Sequence, residues 1–151
     1  MNSLVRQKTF INHHWGELDG QVLEILQKYP DLWDEIELSD LLHTVFYDVL
    51  DQDGKLIAFF GNAYWNNEGC NECILCCVYV MPEYRRKGIF KKIVKYTIDH
   101  NSDATIISIG AKSNNRLAFH IYSHLFTYSC HDEENDGDWF LIKDRRGAIK
   151  C

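Results

Sequence analysis

Positively charged residues are concentrated in one short segment near the middle of the chain. This segment, from Val78 to Ile93, reads V-Y-V-M-P-E-Y-R-R-K-G-I-F-K-K-I, and Pro82 ends its strand-like first part. Gly88 lets the backbone approach a ligand, and a helix that begins there presents unpaired amides and the positive end of its dipole. Because the whole chain has a net charge of −6, this local positive charge indicates a site for an anionic, phosphate-bearing ligand.

The same segment resembles the acetyl-coenzyme A (acetyl-CoA) binding motif of the GNAT superfamily of N-acetyltransferases, R/Q-x-x-G-x-G/A, which follows a strand ending in V-x-P. Here the motif reads Arg85-Arg86-Lys87-Gly88-Ile89-Phe90. The resemblance implies that main-chain groups of Val78 and Val80 pair with the pantetheine arm. It also implies that the pyrophosphate is held by the amides of Arg86, Lys87, Gly88, Ile89, Phe90 and Lys91. The chain departs from the motif at Phe90, where the family usually has Gly or Ala.

A second segment, from Asn114 to Phe126, resembles the family's N-x-x-A-x-x-x-Y-x-x-x-G-F helix. The resemblance implies that Asn115 contacts the coenzyme and that the hydroxyl of Tyr122 lies near the departing thiolate. A phenol with an ordinary pKa near 10 is protonated at neutral pH, so Tyr122 is predicted to act as the general acid. The alternative is that Tyr122, which shares a helix face with apolar residues, is a core residue. Leu125 stands in place of the family's glycine.

The resemblance further implies that an acceptor amine attacks the thioester directly, without a covalent enzyme intermediate. A main-chain amide, that of Val80, would hold the oxyanion. In some relatives a glutamate accepts the proton of the amine. It lies on the strand that here begins at Thr105, at the position where this chain has Gly110. Glu72 and His43 remain alternatives that would act through water, although each is more typical of a surface residue.

The cysteines offer a competing interpretation as a metal site. Cys70, Cys73 and Cys76 have C-x-x-C-x-x-C spacing, which is found in zinc sites. In a strand, however, Cys73 and Cys76 would point to opposite faces, which favours buried thiols over metal ligands. These thiols are expected to be reduced, and no metal is predicted. His120 and His124 have helical spacing but share a polar stripe, which favours solvent-facing side chains.

Composition restricts the class of protein. A length of 151 residues predicts one compact domain over residues 1–151. The acidic net charge argues against a nucleic-acid partner. No apolar run approaches the roughly 20 residues needed to cross a bilayer, and the first ten residues lack the apolar block of a secretory signal. We therefore expect a cytoplasmic protein without a membrane partner, and the sequence leaves a homodimer open.

Hydrophobic periodicity predicts the elements that position the two motifs. Helices are expected over residues 18–29, 32–43, 88–100 and 115–125. Strands are expected over residues 5–11, 45–50, 56–64, 73–80, 105–109, 126–130 and 139–143.

The order of these elements predicts the fold class. Strands 45–50, 56–64 and 73–80 should form an antiparallel meander whose first turn contains Asp53-Gly54. Strands 73–80 and 105–109 flank a helix and should therefore be parallel neighbours joined by a right-handed crossover. We expect an α/β (α+β) domain with a GNAT-like central mixed, mostly antiparallel sheet of about 6–7 strands flanked by about 4 helices.

The predicted activity is transfer of the acetyl group of acetyl-CoA to an amine, either a small cationic amine or a protein amino group. In the family, the first two helices and the closing hairpin form the walls of the acceptor site. Here those walls are acidic and aromatic, with Asp31, Trp33, Asp34, Glu35 and Glu37 on one side and Asp132, Glu133, Glu134, Asp136 and Asp138 on the other. They could steer a cationic amine, or the loop could simply be solvated. The alternative function is a catalytically degenerate GNAT-fold domain that binds CoA or a protein partner.

Overall fold

Seven β-strands in one sheet and two complete α-helices make up most of the described chain. The computed structural model describes residues 10–14, 24–25, 27–28, 44–67, 69–134 and 136–145. The strands are β1 (Phe10–His14), β2 (Thr44–Leu50), β3 (Leu56–Asn67), β4 (Cys70–Val80), β5 (Ile106–Lys112), β6 (Thr127–Asp132) and β7 (Gly137–Asp144). The helices are α1 (Ile89–His100) and α2 (Arg116–Leu125), and Pro82–Tyr84 form a 3-10 turn. The order in the sheet is β1-β2-β3-β4-β5-β7-β6.

Neighbouring strands are antiparallel except for β4 and β5, which are parallel. The mixed, mostly antiparallel sheet predicted from the sequence is thereby confirmed. Four residues between β1 and β2 are helical and fall within the helix predicted over 18–29, namely Glu24, Ile25, Gln27 and Lys28. The helix predicted over 32–43 and residues 5–9 of the first predicted strand lie outside the described residues. Of the roughly four expected helices, two are therefore confirmed in full.

Asp51 organises the turn between β2 and β3. Its carboxylate Oδ1 accepts hydrogen bonds from the amides of Asp53 at 2.8 Å and Lys55 at 2.9 Å. Gly54 has φ of 82°, and its amide donates to the carbonyl of Asp51 at 3.1 Å. A residue without Cβ adopts this left-handed conformation at little cost, so the Asp-Gly pair forms the predicted hairpin.

The parallel pair forms across α1, as the strand–helix–strand order predicts. Residues Glu72 to Leu75 of β4 pair with residues Ile106 to Ile109 of β5. The hairpin of β6 and β7 then adds to the free edge of β5 through β7. The sheet therefore has its single parallel junction between the two strands that precede the two motif segments.

Side-chain alternation divides the core into two layers, one on each face of the sheet. One layer lies under α1 and α2 and includes Ile89 and Ile93 of α1 and Phe140 of β7. The opposite layer contains Phe46, Phe59, Ala63, Ile74, Cys76 and Cys77, with Ile25 packed against it. The helical residues around Ile25 therefore cover the face opposite to α1 and α2.

The cysteines of β4 follow this alternation. Cys73 packs with Ala104 and Ile107, whereas Cys76 belongs to the opposite layer, which confirms that these two thiols point apart. Among the described residues, no three His, Cys, Asp or Glu side chains are grouped as metal ligands. Cys73, Cys76, Cys77 and Cys130 form no disulfide. Cys70, however, is disulfide-bonded, so the expectation of reduced thiols is wrong there, because sequence spacing does not reveal which thiols meet in the fold.

No helix in the described ranges is both long and apolar enough to cross a membrane.

A buried polar network ties α1 to β3. Asn62 is fully buried, and its Nδ2 donates to Thr97 Oγ1 at 3.3 Å. Asn101 Nδ2 donates to Asn62 Oδ1 at 3.2 Å, and the Tyr64 hydroxyl donates to Asn101 Oδ1 at 2.7 Å. Because these partners are directional, the network sets the position of α1 along the sheet more strictly than apolar contacts alone would.

We expect Asn62→Ala to lower the free energy of unfolding by about 1–3 kcal/mol, because it removes the buried partner of Thr97 Oγ1 and one of the two acceptors of Asn101 Nδ2. Urea unfolding monitored by circular dichroism measures this change. Asp99→Ala is the matched control, since it breaks the exposed 2.7 Å ion pair with Lys95 on α1 and should change stability by less than about 0.5 kcal/mol. Equal losses in the two variants would show that the network does not hold the helix.

Candidate active site

An opening forms where β4 and β5 separate. Their ladder ends at the Leu75–Ile109 pair, although β4 continues to Val80 and β5 to Lys112. A cavity of about 440 Å³ lies at this separation. It is lined by Leu75, Cys76, Cys77, Val78, Ile109, Gly110, Ala111, Lys112, Asn114, Asn115, Ala118 and Tyr122. The cavity therefore joins the end of β4 to the start of α2.

A β-bulge in β4 accompanies the separation. Gly61 of β3 pairs with Cys76, and Phe59 pairs with Tyr79. Between these two pairs, β4 has one residue more than β3. Cys77, within the bulge, has φ of 55°, a left-handed conformation that is rare for a residue with a side chain. A bulge bends its strand and increases the local twist, which directs the end of β4 away from β5.

The main chain of Val80 faces the open side of β4. The amide of Met81 donates to the carbonyl of Ile57 at 2.9 Å, so alternation along an antiparallel strand turns the groups of Val80 away from β3. Arg85 Nε donates to the Val80 carbonyl at 2.9 Å, which is consistent with this direction. The sequence pattern did not predict this bond.

The start of α1 has no side-chain cap. Gly88 is the N-cap with φ of 81°, and Arg86 has φ of 61°. The first hydrogen bond of α1 is donated by the amide of Lys92 to the carbonyl of Gly88 at 3.2 Å. The amides of the three preceding residues, Ile89, Phe90 and Lys91, thus have no acceptor within the helix. The helix dipole adds positive potential at the same point.

The start of α2 reaches the cavity from the other side. Asn115 is its N-cap, and the side-chain Oδ1 accepts from the amide of Ala118 at 3.1 Å. Asn115, Ala118 and Tyr122 follow one another at three and four residues, so they share one side of the helix, and all three line the cavity. The side chain of Asn115 therefore caps α2 while its residue borders the cavity.

Tyr122 lies between the cavity and the core. Its half-buried ring lines the cavity and also packs against the core. It lies edge-on to Phe140, with ring centroids 5.8 Å apart, and is 5.9 Å from Phe126. A parallel stack with Phe90 completes this environment, at 5.9 Å and an interplanar angle of 19°.

The structure thus brings Val78, Asn115 and Tyr122 together around one cavity. The other predicted coenzyme-binding residues come after Val78 in the chain, between the end of β4 and the start of α1. They are Val80, Arg86, Lys87, Gly88, Ile89, Phe90 and Lys91. Phe90 is not among the residues that line the cavity in the described chain. Leu125, which replaces the family's glycine, ends α2 with 44% of its surface exposed.

The position of the missing glutamate is filled by an aromatic ring. A Cβ placed on Gly110 would lie 3.1 Å from Trp139 Cζ3 and 3.2 Å from two further atoms of the same ring. A longer side chain at this position would therefore require Trp139 to move. Glu72 accepts a hydrogen bond from Ser108 Oγ at 3.0 Å and precedes Cys76 by four residues, roughly 13 Å along a strand. His43 lies outside the described residues.

Comparison with known proteins identifies the family. Residues 9–127 match the acetyltransferase (GNAT) family. The chain belongs to this GNAT family. A search of curated protein sequences found no match to the chain. The family is one of acyltransferases that use acetyl-CoA as co-substrate, as the two motifs indicate.

Solved structures show the same fold for this GNAT chain. A chimera of Vibrio cholerae spermidine N-acetyltransferase SpeG and hSSAT has a TM-score of 0.65 and 16% identity, covering 89% of this chain and 95% of the chimera. Vibrio cholerae spermidine N-acetyltransferase in complex with CoA and spermine has a TM-score of 0.62 and 16% identity, covering 89% and 94%. Arabidopsis thaliana NAA60 with a bisubstrate analogue has a TM-score of 0.59 and 13% identity, covering 87% and 98%.

A carboxylate network that sequence reasoning missed lies beside the start of α2. Asp138 is buried, its Oδ2 accepts from Ser113 Oγ at 3.2 Å, and its Oδ1 accepts from the Tyr128 hydroxyl at 3.1 Å. His131 Nδ1 lies 3.1 Å from the same Oδ1. Placing Asp138 among the solvated residues of an acceptor wall is therefore wrong, since its place on β7 directs it into the layer below α2. Asp138 differs from the other acidic residues of the hairpin in its hydrogen-bond partners, which are not its neighbours in the sequence.

This network makes stability depend on pH. The hydrogen bond to Asp138 raises the pKa of His131 above 6.5, aided by the charges of Asp138, Asp136 and Glu133 and opposed by desolvation. Because the pKa is raised in the folded state, the stabilisation is complete below pH 6.5 and is lost as the pH rises through the folded-state pKa.

We expect His131→Asn to destabilise the protein more at pH 5.5 than at pH 8.5, since the protonated imidazole adds a charge interaction with Asp138 to the hydrogen bond. Thermal unfolding at the two pH values measures the difference. His124→Asn serves as the control, because His124 lies on the exposed side of α2 and contacts the carbonyl of its own helix at residue His120. A loss of stability that is the same at both pH values would contradict the assignment.

Proposed function

We propose that this chain transfers the acetyl group of acetyl-CoA directly to an amine. The observation that carries the proposal is the cavity between the separated ends of β4 and β5, which Tyr122 lines from α2. The cavity borders β4 as far as Val78 and the start of α2. From Val78 the chain continues to the outward-facing main-chain groups of Val80 and then to the uncapped start of α1. This is the order of sites that a thioester, a pantetheine arm and a pyrophosphate require.

In the proposed coenzyme site, backbone groups make the main contacts and charged side chains add attraction. The amides between Arg86 and Lys91 would hold the pyrophosphate, supported by the uncapped start of α1 and the left-handed Gly88. The side chains of Arg85, Arg86 and Lys91 are exposed there and would add charge attraction. Main-chain groups of Val78 and Val80 would pair with the pantetheine arm, and binding there would compete with the bond from Arg85 to the Val80 carbonyl.

In the proposed reaction the nitrogen of the neutral amine attacks the thioester carbonyl, so that a C–N bond forms and the C–S bond breaks. The carbonyl oxygen gains negative charge in the transition state, and the main-chain amide of Val80 is proposed to donate to it. The departing sulfur takes the electron pair of the C–S bond and receives a proton from the hydroxyl of Tyr122. The ammonium formed on attack releases its proton to water, since Gly110 offers no side chain for that purpose.

We expect Tyr122→Phe to lower kcat for acetyl transfer by about 10²-fold, because the thiolate then leaves without a proton donor. Release of free thiol from acetyl-CoA in the presence of a panel of amines measures the rate. Phenylalanine keeps the ring contacts with Phe90, Phe126 and Phe140, so the variant should fold normally. Calorimetric titration with CoA should give the same affinity for both proteins.

Two results would separate the alternatives. Unchanged turnover in the Tyr122→Phe variant would remove the acid role from Tyr122. Tight binding of CoA without thiol release for any amine would favour the degenerate domain that binds but does not catalyse, an alternative supported by the absence of a side chain at Gly110.

The proposed acceptor is a cationic amine. Supporting this choice, Glu133, Glu134 and Asp136 at the β6–β7 hairpin are exposed, and two of the similar solved structures are spermidine N-acetyltransferases. The remaining wall predicted from residues 31–37 lies outside the described residues. Exposed carboxylates attract a polyamine at long range, which raises the association rate more than the affinity.

We expect kcat/KM for spermidine to fall as ionic strength rises, more steeply than for an amine with one positive charge, because screening weakens each added charge interaction. Replacing Glu133, Glu134 and Asp136 by Gln, Gln and Asn should flatten this dependence. Asp103→Asn, an exposed change in the loop after α1, should leave it unaltered. A spermidine rate that does not respond to salt would rule out steering.

The predictions drawn from composition alone stay predictions. They are the single domain over residues 1–151, the cytoplasmic location and the homodimer.

A further inference from the structure

Phe90 occupies an unusual place between the two halves of the proposed site. It is the second residue of α1, directly after the left-handed Gly88 and the first helical residue Ile89. Its amide belongs to the proposed pyrophosphate site, whereas its half-buried side chain points into the layer shared by α1 and α2. The GNAT motif usually has Gly or Ala here, and neither could reach that layer.

The side chain of Phe90 makes its ring contacts with α2 and the residue that follows it. It stacks on Tyr122 with ring centroids 5.9 Å apart and an interplanar angle of 19°. It also meets Phe126 edge-on at 6.4 Å and 64°. Tyr122 itself is 5.9 Å from Phe126, so the three rings form one cluster behind the cavity wall.

The helix α2 lies at the surface of the protein. None of its residues from Arg116 to Leu125 is buried, and Leu117 on its outer side is 71% exposed. Neighbouring rings help to restrict the two side-chain torsions of Tyr122. Phe140 restricts one edge of the ring, and Phe90 covers its face.

We propose that Phe90 is a positioning residue that holds Tyr122 in its direction at the cavity. This inference rests on the proposed function. The stacked ring of Phe90 joins the helix that starts at the pyrophosphate site to the helix that carries the proton donor. A small residue at position 90 leaves the face of Tyr122 uncovered, so that the hydroxyl samples directions away from the departing sulfur. The expected effect is therefore on the chemical step and acts through Tyr122.

We expect Phe90→Ala to lower kcat by about 10-fold, because a misdirected donor transfers its proton less often. The KM for acetyl-CoA should change by less than about 2-fold, since the amide at position 90 remains. Phe90→Leu, which keeps bulk without a ring, should recover part of kcat. Phe90→Tyr, which keeps the stacked ring, should recover it to within about 2-fold. Thiol-release kinetics with saturating amine measures all four proteins.

A double-variant cycle distinguishes positioning from general packing. In the Tyr122→Phe background the donor hydroxyl is absent, so adding Phe90→Ala should lower kcat by less than about 2-fold further. Val94→Ala is the matched control, because Val94 lies one turn along the same face of α1 and packs against the same core layer. It should lower the unfolding midpoint without lowering kcat.

The possible results distinguish failure of the positioning role from failure of the proposed function. A full 10-fold loss in the Tyr122→Phe background, a rise in KM alone, or an equal loss of kcat in Val94→Ala would overturn the positioning role while leaving the acetyl-transfer proposal intact. Absence of thiol release from the unaltered protein with every amine would overturn the proposed function and this inference with it.

Discussion

Backbone hydrogen bonding at the end of β4 determines where the site lies. As far as Leu75, β4 shares its main-chain groups with β3 on one side and β5 on the other. After the bulge at Cys77, the side toward β5 has no strand partner, and main-chain groups in a protein interior need one. Arg85 satisfies one of them by donating to the Val80 carbonyl at 2.9 Å. A ligand with amide groups of its own, such as a pantetheine arm, is suited to the rest.

Such an opening weakens the sheet at its centre, so the elements around it have to be held by other contacts. Asn62, Thr97 and Asn101 fix α1 to β3 on one side of the opening. Asp138 holds the turn before α2 to the closing hairpin on the other side through Ser113. Both networks use buried, directional hydrogen bonds, which restrict sliding better than apolar packing does. The C-terminal end of α1 and the turn before α2 are therefore anchored independently of any ligand.

The sequence predicted much of this arrangement because its signals are local. Alternating apolar residues, the Asp53-Gly54 turn and the helix starts at Gly88 and Asn115 each act over a few residues, and the strands and helices they predict are found. Contacts between distant residues gave no such signal. The bond from Arg85 to Val80, the partners of Asp138 and the disulfide at Cys70 depend on how elements meet in space, which periodicity does not encode. For the same reason only the fold shows that Tyr122 both lines the cavity and packs against the core.

Two of the departures from the family pattern lie on opposite sides of the proposed reaction. On the leaving-group side, Phe90 adds a ring behind Tyr122 where the family usually has Gly or Ala. On the acceptor side, Gly110 has no side chain where some relatives have a glutamate, and the ring of Trp139 fills the space beside it. In the proposed mechanism the chain thus reinforces protonation of the sulfur and leaves the proton of the amine to water. In this mechanism a general base is least needed when the amine arrives already neutral.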